Sequence, residues 1–399
     1  MNQDILKSYP DNHFDSIVTD PPYGIEFLGK DWDSNTGAVD TWEECYRVLK
    51  PGGHILAFSA ARTYHKLATN IESVGFEIRD QLMWLYASGF PKAQDIGKAI
   101  QKRQGVEKSK PVEDNGRKRM ADKLATTNNT NDPGFSGVDT VCTSPEAQQW
   151  SGWKTALKPS HEPIVMARKP FKGSCLDNVL KHSTGALNID ATRIAIEDDG
   201  WKSSSNGGKK LDKYGDASGY SDVLSMNDQG RFPSNVFGEI PDYQKYFYCP
   251  KVSRAERSIG CENLKQDYIE TVAGSEGGKN GQWFCNKCNK SYNGSNDHTQ
   301  CGDDKYWKES AVQGNNHPTV KPVALMSYLV KLVTPEGGKV LDPFSGSGST
   351  GMACVEHGFD YTGCELDPAY VEIATKRIEA WDKHIQPDNN YNELFEDIK

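Results

Sequence analysis

Residues 337–358 read GGKVLDPFSGSGSTGMACVEHG: an apolar strand, a turn with glycines at 346 and 348, and a helical run. A strand that feeds a helix through so tight a turn is half of a βαβ unit, which needs parallel neighbours and helices on both faces. The flanking sequence supplies them. PVALMSYLVKLVT is a helix with Pro322 suited to its first turn, and DYTGCELD is a strand. PAYVEIATKRIEAW is a helix with Val371, Ala374, Ile378 and Trp381 inward. The opening of the chain repeats the rhythm. DSIVT is a short buried strand, and AVDTWEECYRVLK is a helix with Val39, Trp42, Tyr46 and Leu49 on one face, stopped by PGG. HILAFSA is a strand, TYHKLATNIESVG a helix with Leu67, Ile71 and Val74 inward and Gly75 as its C-cap, and FEIRDQLMWLYA a strand. This alternation predicts an α/β fold on a doubly wound, mostly parallel sheet.

Between the two halves the rhythm breaks. The chain of 399 residues is long enough for two or three domains. The boundaries expected are 1–170 for the first half, with a polar, basic insertion at about 87–150, then 171–312 for an irregular middle and 313–399 for the second half. KPSHEPIVMARKP is the one clear strand interrupting the polar stretch, and 197–230 reads as a long loop. No internal repeat is present. There is no run of 18 apolar residues and no basic-then-apolar leader at Met1, so membrane and secreted readings are disfavoured. Ten scattered cysteines suit a reducing cytoplasm with most thiols free. The formal charge of −9 argues against a nucleic-acid partner only on average, because QKRQGVEKSK and GRKRM are basic while the last residues are acidic.

The glycine turn suits a close ligand. Gly346 and Gly348 let the backbone approach it, and a helix N-terminus follows. About twenty residues on, Glu365 ends the next strand, at the spacing that suits a ribose. Asp342 opens the turn. A carboxylate is badly placed for a pyrophosphate but well placed for a cationic ligand such as the aminoacyl end of S-adenosylmethionine. The alternative is an ordinary tight βα turn.

A second turn, TDPPYG, follows the DSIVT strand. The Asp20 carboxylate and a nearby proline carbonyl are acceptors, and neither Pro21 nor Pro22 has a backbone donor, so the corner is stiff and acceptor-rich. The exocyclic amine of adenine or cytosine donates two N–H bonds and is its complement. Holding both favours a pyramidal nitrogen whose lone pair faces a methyl donor, a geometry that counts most in the transition state. Tyr23 offers a face for the base. A plain Asp-Pro turn is the alternative.

DPPY together with DPFSGSG resembles the amino-methyltransferases that modify adenine N6 or cytosine N4 in DNA. The order, catalytic turn first and cofactor turn last, resembles the beta group of that family. HPTVKPVALMSYLV is similar to the family segment before the cofactor turn, and ALKPSHEPIVMARKP, GALNID and YFYCPKVSRAER look like phage and prophage members. The resemblance implies a Rossmann-like methyltransferase sheet, circularly permuted, with an inserted recognition region. It assigns Asp20, Pro21, Pro22 and Tyr23 to the target base, and Asp342, Phe344, Gly346, Gly348 and Glu365 to S-adenosylmethionine. His317, Thr319 and Lys321 would lie near the methionine end. Asp4 matches the acidic position for the cofactor adenine, without the usual preceding glycine. Asp at the head of the turn resembles adenine enzymes more than cytosine-N4 ones. The partners implied are duplex DNA, with the target base flipped out, and a cognate restriction nuclease.

The middle offers Arg231, Asn235, Lys251, Arg254 and Arg257 as DNA contacts, although for any one of them a solvated surface charge is the commoner role. Cys285, Cys288, His298 and Cys301 have spacing compatible with a structural zinc knuckle over 283–302, and Cys261 or Cys249 could replace the histidine. A cytosine-C5 enzyme is disfavoured, since the chain has no Pro-Cys pair to supply the thiolate. The function expected is adenine-N6 DNA methylation. Cytosine-N4 methylation comes second, and methylation of RNA or protein glutamine, or a non-catalytic DNA-binding zinc module, stands further behind.

Overall fold

The computed structural model describes residues 2–25, 33–86, 89, 93–105, 142–194, 230–238, 249–262, 264–266, 281–285, 305–309 and 312–385. The chain divides into two compact units, Met1–Trp84 with Glu162–Lys399, and Leu85–His161.

Eleven strands are described: β1 Phe14–Thr19, β2 Leu49–Phe58, β3 Glu77–Leu85, β4 His161–Arg168, β5 Val236–Gly238, β6 Lys265–Gln266, β7 Gly281–Cys285, β8 Lys305–Glu309, β9 Val312–Gln313, β10 Lys339–Asp342 and β11 Asp360–Gly363. Seven form one sheet in the order β11-β10-β1-β2-β4-β3-β5; β6 pairs with β9 and β7 with β8 in two small ribbons. The β10–β11, β1–β10 and β1–β2 pairs are parallel, and β4 runs antiparallel to β2. The sheet is therefore mixed and mostly parallel, as the β/α alternation predicted.

The first and last parts of the chain meet at its centre. Ser16 pairs with Val340 and Ile17 with Leu341 across β1 and β10. Every residue of β1 is buried, which suits a strand covered on both faces. Its polar members Asp15 and Ser16 have partners. Asp15 accepts from the Lys50 ammonium at 2.5 Å and the Lys339 amide at 2.9 Å, and Ser16 bonds Thr334 at 2.8 Å. One face of the sheet packs Phe14, Ile17, Ile55 and Leu341 against Trp42, Cys45, Leu67 and Ile71 of the helices Val39–Val48 and Tyr64–Ser73.

Four local expectations are corrected. Helix Val39–Val48 buries Thr41, Trp42, Cys45 and Val48, whereas Val39 is exposed and Leu49 already belongs to β2. The PGG stretch does not end the helix. It lies within β2, where Phe14 pairs with Leu49 but Ser16 with His54, so two steps of β1 span five of β2. Helix Pro368–Ile385 is rotated from its predicted face: Ile373, Ala374 and Arg377 are buried, and Val371 is 44% exposed. Pro322 stands one residue before helix Val323–Val333, as its N-cap.

The unit Leu85–His161 holds helices Ile96–Arg103 and Pro145–Gln149, each N-capped by a side chain, Asp95 on the Lys98 amide at 3.1 Å and Ser144 on that of Ala147 at 3.2 Å. Of the long loop read at 197–230, only Gly230 is among the described residues. No described helix is long and apolar enough to cross a membrane.

Candidate active site

The amine corner and the glycine turn leave the same end of neighbouring parallel strands. β1 ends at Thr19 and delivers Asp20; β10 ends at Asp342 and delivers the turn. One carboxylate fastens them together. Asp342, 2% exposed, accepts from the Thr19 hydroxyl at 2.6 Å, the Phe344 amide at 3.1 Å and the Thr350 hydroxyl at 2.7 Å. Three donors leave about one of its four acceptor positions for a ligand. Burial pushes the Asp342 carboxyl up to about 6, against those three hydrogen bonds.

Both turn glycines have positive φ, +52° at Gly346 and +79° at Gly348. A Cβ on Gly346 would stand 2.9 Å from His317 Nε2, so the histidine ring can lie against the turn only because that side chain is missing. Glu365 closes the turn from the far side. Its Oε2 accepts from the Gly346 amide at 2.8 Å, and its Oε1 from the amides of Leu366 and Asp367 at 2.8 and 2.9 Å. The Phe344 ring packs against Trp42, tilted at 51° with centroids 5.7 Å apart, which ties the turn to the core.

Segment 317–321 runs from one corner to the other. His317 packs on Gly346 and on Tyr370, and burial, with Lys321, Arg257 and Arg377 nearby, drives its imidazole down to about 3, so it is neutral. The Thr319 amide donates to His317 Nδ1 at 3.4 Å, and the Thr319 side chain is exposed. Four residues on, Lys321 reaches Asp20 Oδ2 at 2.5 Å. A four-residue span is at most about 14 Å long, so the side chains that touch the two corners spring from neighbouring stretches of backbone.

At the amine corner, Tyr23 OH contacts Asp20 Oδ1 at 2.8 Å and Glu162 Oε2 at 3.0 Å, and Lys321 Nζ lies 3.4 Å from the same Glu162 oxygen. Burial lifts the Asp20 carboxyl above its usual range; Lys321 opposes this and Glu162 adds to it. Burial works against the Lys321 ammonium, but the two carboxylates outweigh it and hold its pKa above that of an ordinary lysine. The turn's backbone is shaped by Asp33, 1% exposed, which accepts from the amides of Tyr23 at 2.6 Å, Gly24 at 3.1 Å and Ile25 at 3.3 Å. Neither Glu162 nor Asp33 was singled out from the sequence. Glu162 sits in HEPIVMAR, 139 positions from Tyr23, with no local pattern to mark it. Asp33 lies ten residues beyond Tyr23, where an acidic residue after a Pro-Pro turn is the one available signal.

The other predicted positions are scattered. Asp4 is exposed on helix Asn2–Leu6, 3.4 Å from Lys7 Nζ. Asn235 bonds Asp80 at 3.2 Å beside β3, and the Arg231 backbone bridges Ile194. Lys251 and Arg254 are exposed. Arg257 is turned inward: its guanidinium donates to the main-chain oxygens of Asn315, at 3.3 Å, and His317. Arg377, fully buried, donates to the Ser347 hydroxyl at 3.1 Å and the Glu256 carbonyl at 3.3 Å, pinning the turn to the helix Arg254–Ser258. Of the zinc candidates, Cys288, His298 and Cys301 and the side chain of Cys285 lie outside the described residues. The alternatives Cys249 and Cys261 are buried, and the described residues contain no metal-binding group of three or more His, Cys, Asp or Glu.

Residues 14–376 match the family model N6_N4_Mtase, DNA methylase. Over 229 residues the chain is 26% identical to Type II methyltransferase M.HindIII of Haemophilus influenzae, covering 46% of this chain and 61% of that protein. Over 64 residues it is 42% identical to Type II methyltransferase M2.DpnII of Streptococcus pneumoniae, covering 16% and 24%. The matched stretches thus span less than two thirds of either relative. The PvuII DNA methyltransferase (cytosine-N4-specific) aligns structurally with a TM-score of 0.43 and 13% identity, over 99% of this chain and 87% of that one. With its model matched from β1 to the last long helix, the chain belongs to the N6_N4_Mtase family of DNA methylases.

Proposed function

We propose that the protein is an S-adenosylmethionine-dependent DNA methyltransferase that modifies the exocyclic N6 amine of an adenine flipped out of duplex DNA. The observation that carries this reading is the Thr19–Asp342 hydrogen bond of 2.6 Å between neighbouring parallel strands, which joins the amine corner to the glycine turn. The turn suits the cofactor: two glycines of positive φ that let the backbone come close, and acceptor capacity left on Asp342 and Glu365 for an ammonium and a ribose. S-adenosylmethionine, when bound there, supplies the electrophilic methyl group.

Asp20 and a proline carbonyl accept the two N–H bonds of the amine and aim its lone pair across the site. The Tyr23 ring stacks on the base. The nitrogen gains one bond to carbon, and a proton leaves it during or after the transfer. The same reading takes the chain order as a circular permutation of the sheet, which the pairing of β1 with β10 supports. Adenine is favoured over cytosine by the aspartate at the head of the turn. Tritiated-methyl transfer to duplex DNA tests the activity, with RNA and protein as competing acceptors. Mass spectrometry of the digested DNA then separates N6-methyladenine from N4-methylcytosine. Asp20→Ala should lower the transfer at least about 100-fold while cofactor binding changes little. Undiminished turnover would remove Asp20 from the chemistry.

A further inference from the structure

Both oxygens of Asp20 are occupied, Oδ1 by the Tyr23 hydroxyl at 2.8 Å and Oδ2 by the Lys321 ammonium at 2.5 Å. These donors take two of the carboxylate's four acceptor positions, and an amine brought to either oxygen competes with the donor already there. The donor displaced cannot simply turn to water, because the Lys321 side chain is 7% exposed and an unpaired buried ammonium is costly. Glu162, projecting from β4, offers a second acceptor to both donors, with Oε2 3.0 Å from the Tyr23 hydroxyl and 3.4 Å from Lys321 Nζ. Tyr23 has a single proton and can donate to only one of the two carboxylates at a time. For Lys321, closing to a charge-assisted bond on Glu162 is a shift of roughly half an ångström.

We propose that Glu162 is a positioning residue for the transfer: it receives the Lys321 ammonium or the Tyr23 hydroxyl, whichever an exocyclic amine displaces from Asp20. The inference rests on the methyltransferase reading above. The charges agree with it. Two carboxylates share one ammonium, so the corner keeps one negative charge, the sign needed beside a nitrogen that becomes positive as its new bond forms. Without Glu162, Asp20 is the one carboxylate left within 4 Å of Lys321 among the described residues, so the ammonium, whose other hydrogen bond is to the Tyr23 hydroxyl at 3.1 Å, competes with the amine for it.

The test is a double-mutant cycle on the full chain, read as single-turnover methyl transfer to duplex DNA, with S-adenosylmethionine binding measured by calorimetry for each protein. Gln at 162 still accepts from Tyr23 but no longer carries the charge that draws Lys321. Glu162→Gln should therefore slow the transfer about 30-fold in the wild-type background and less than about threefold in the Lys321→Met background, where there is no ammonium to move. Equal losses in both backgrounds, or none in either, overturn the proposal. Should the Gln variant fail to bind the cofactor, Glu162→Asp, which keeps the charge, decides. A rate within about fivefold of wild type upholds the exchange, and a loss beyond that refutes it. Failure of the wild-type protein itself to methylate DNA would sink the functional reading instead, and that arm shows it separately.

Discussion

Replacing Asp342 by Asn should make the protein's stability less sensitive to pH while spoiling its site. Burial raises the Asp342 carboxyl from an ordinary 3.8 to about 6. Its folded pKa lies above its unfolded one, so the folded state holds the proton more tightly, and the stability it contributes below the unfolded value is lost as pH rises through the folded one. A shift of about two units corresponds to roughly 3 kcal/mol in all, of which about 1.4 kcal/mol accrues between about pH 5 and about pH 8. Asparagine cannot titrate. Its altered bonds to Thr19, Thr350 and the Phe344 amide shift stability by the same amount at every pH, and so drop out of the comparison. Urea denaturation of both proteins at the two pH values measures the difference directly. The wild type should lose about 1.4 kcal/mol more than Asp342→Asn on going from the lower pH to the higher. Equal pH dependence in the two proteins would show that burial does not hold the Asp342 carboxyl above its ordinary value, and the reasoning from its burial would fall.

Two further outcomes follow from the site. Gly346→Ala forces a side chain into a positive-φ position 2.9 Å from the His317 ring; it should cost about 1–2 kcal/mol in backbone strain and weaken S-adenosylmethionine binding roughly tenfold, as calorimetry will show. Arg254 and Arg257 are three residues apart but face opposite ways. Arg254→Ala should reduce the salt dependence of DNA binding by about one phosphate contact, whereas Arg257→Gln should leave that slope alone and weaken cofactor binding, because Arg257 holds the carbonyls of Asn315 and His317. A changed slope for Arg257→Gln would put it on the DNA instead.

Much of this architecture is written in short windows. The alternation of strands and helices in both halves, the glycine turn and the DPPY corner depend on neighbours within a few positions, where propensity and periodicity act. Local pattern misjudged the last long helix for a definite reason. Hydropathy places Val371 inside and Arg377 outside, yet Arg377 is fully buried, with Ser347 and the carbonyl of Glu256 accepting from its two terminal nitrogens while its Nε makes no hydrogen bond to the described residues. Arg257 shows the same limit of local pattern: a basic residue in a polar stretch looks like a phosphate contact, while its guanidinium donates to the main-chain oxygens of Asn315 and His317.

Sequence by itself determined which groups this protein owns: a stiff acceptor corner at Asp20, a glycine turn after Asp342, an acid at Glu365, and strands apolar enough to be covered on both faces. Tertiary structure decided which of them meet. Lys321 is 301 positions from Asp20, Glu162 is 139 from Tyr23, and Thr19 is 323 from Asp342. Each of those contacts exists because β10 pairs with β1 and β4 with β2, an order set by the packing of the whole sheet. No window of sequence records it, since pairing energy between distant segments appears only once the loops between them have closed.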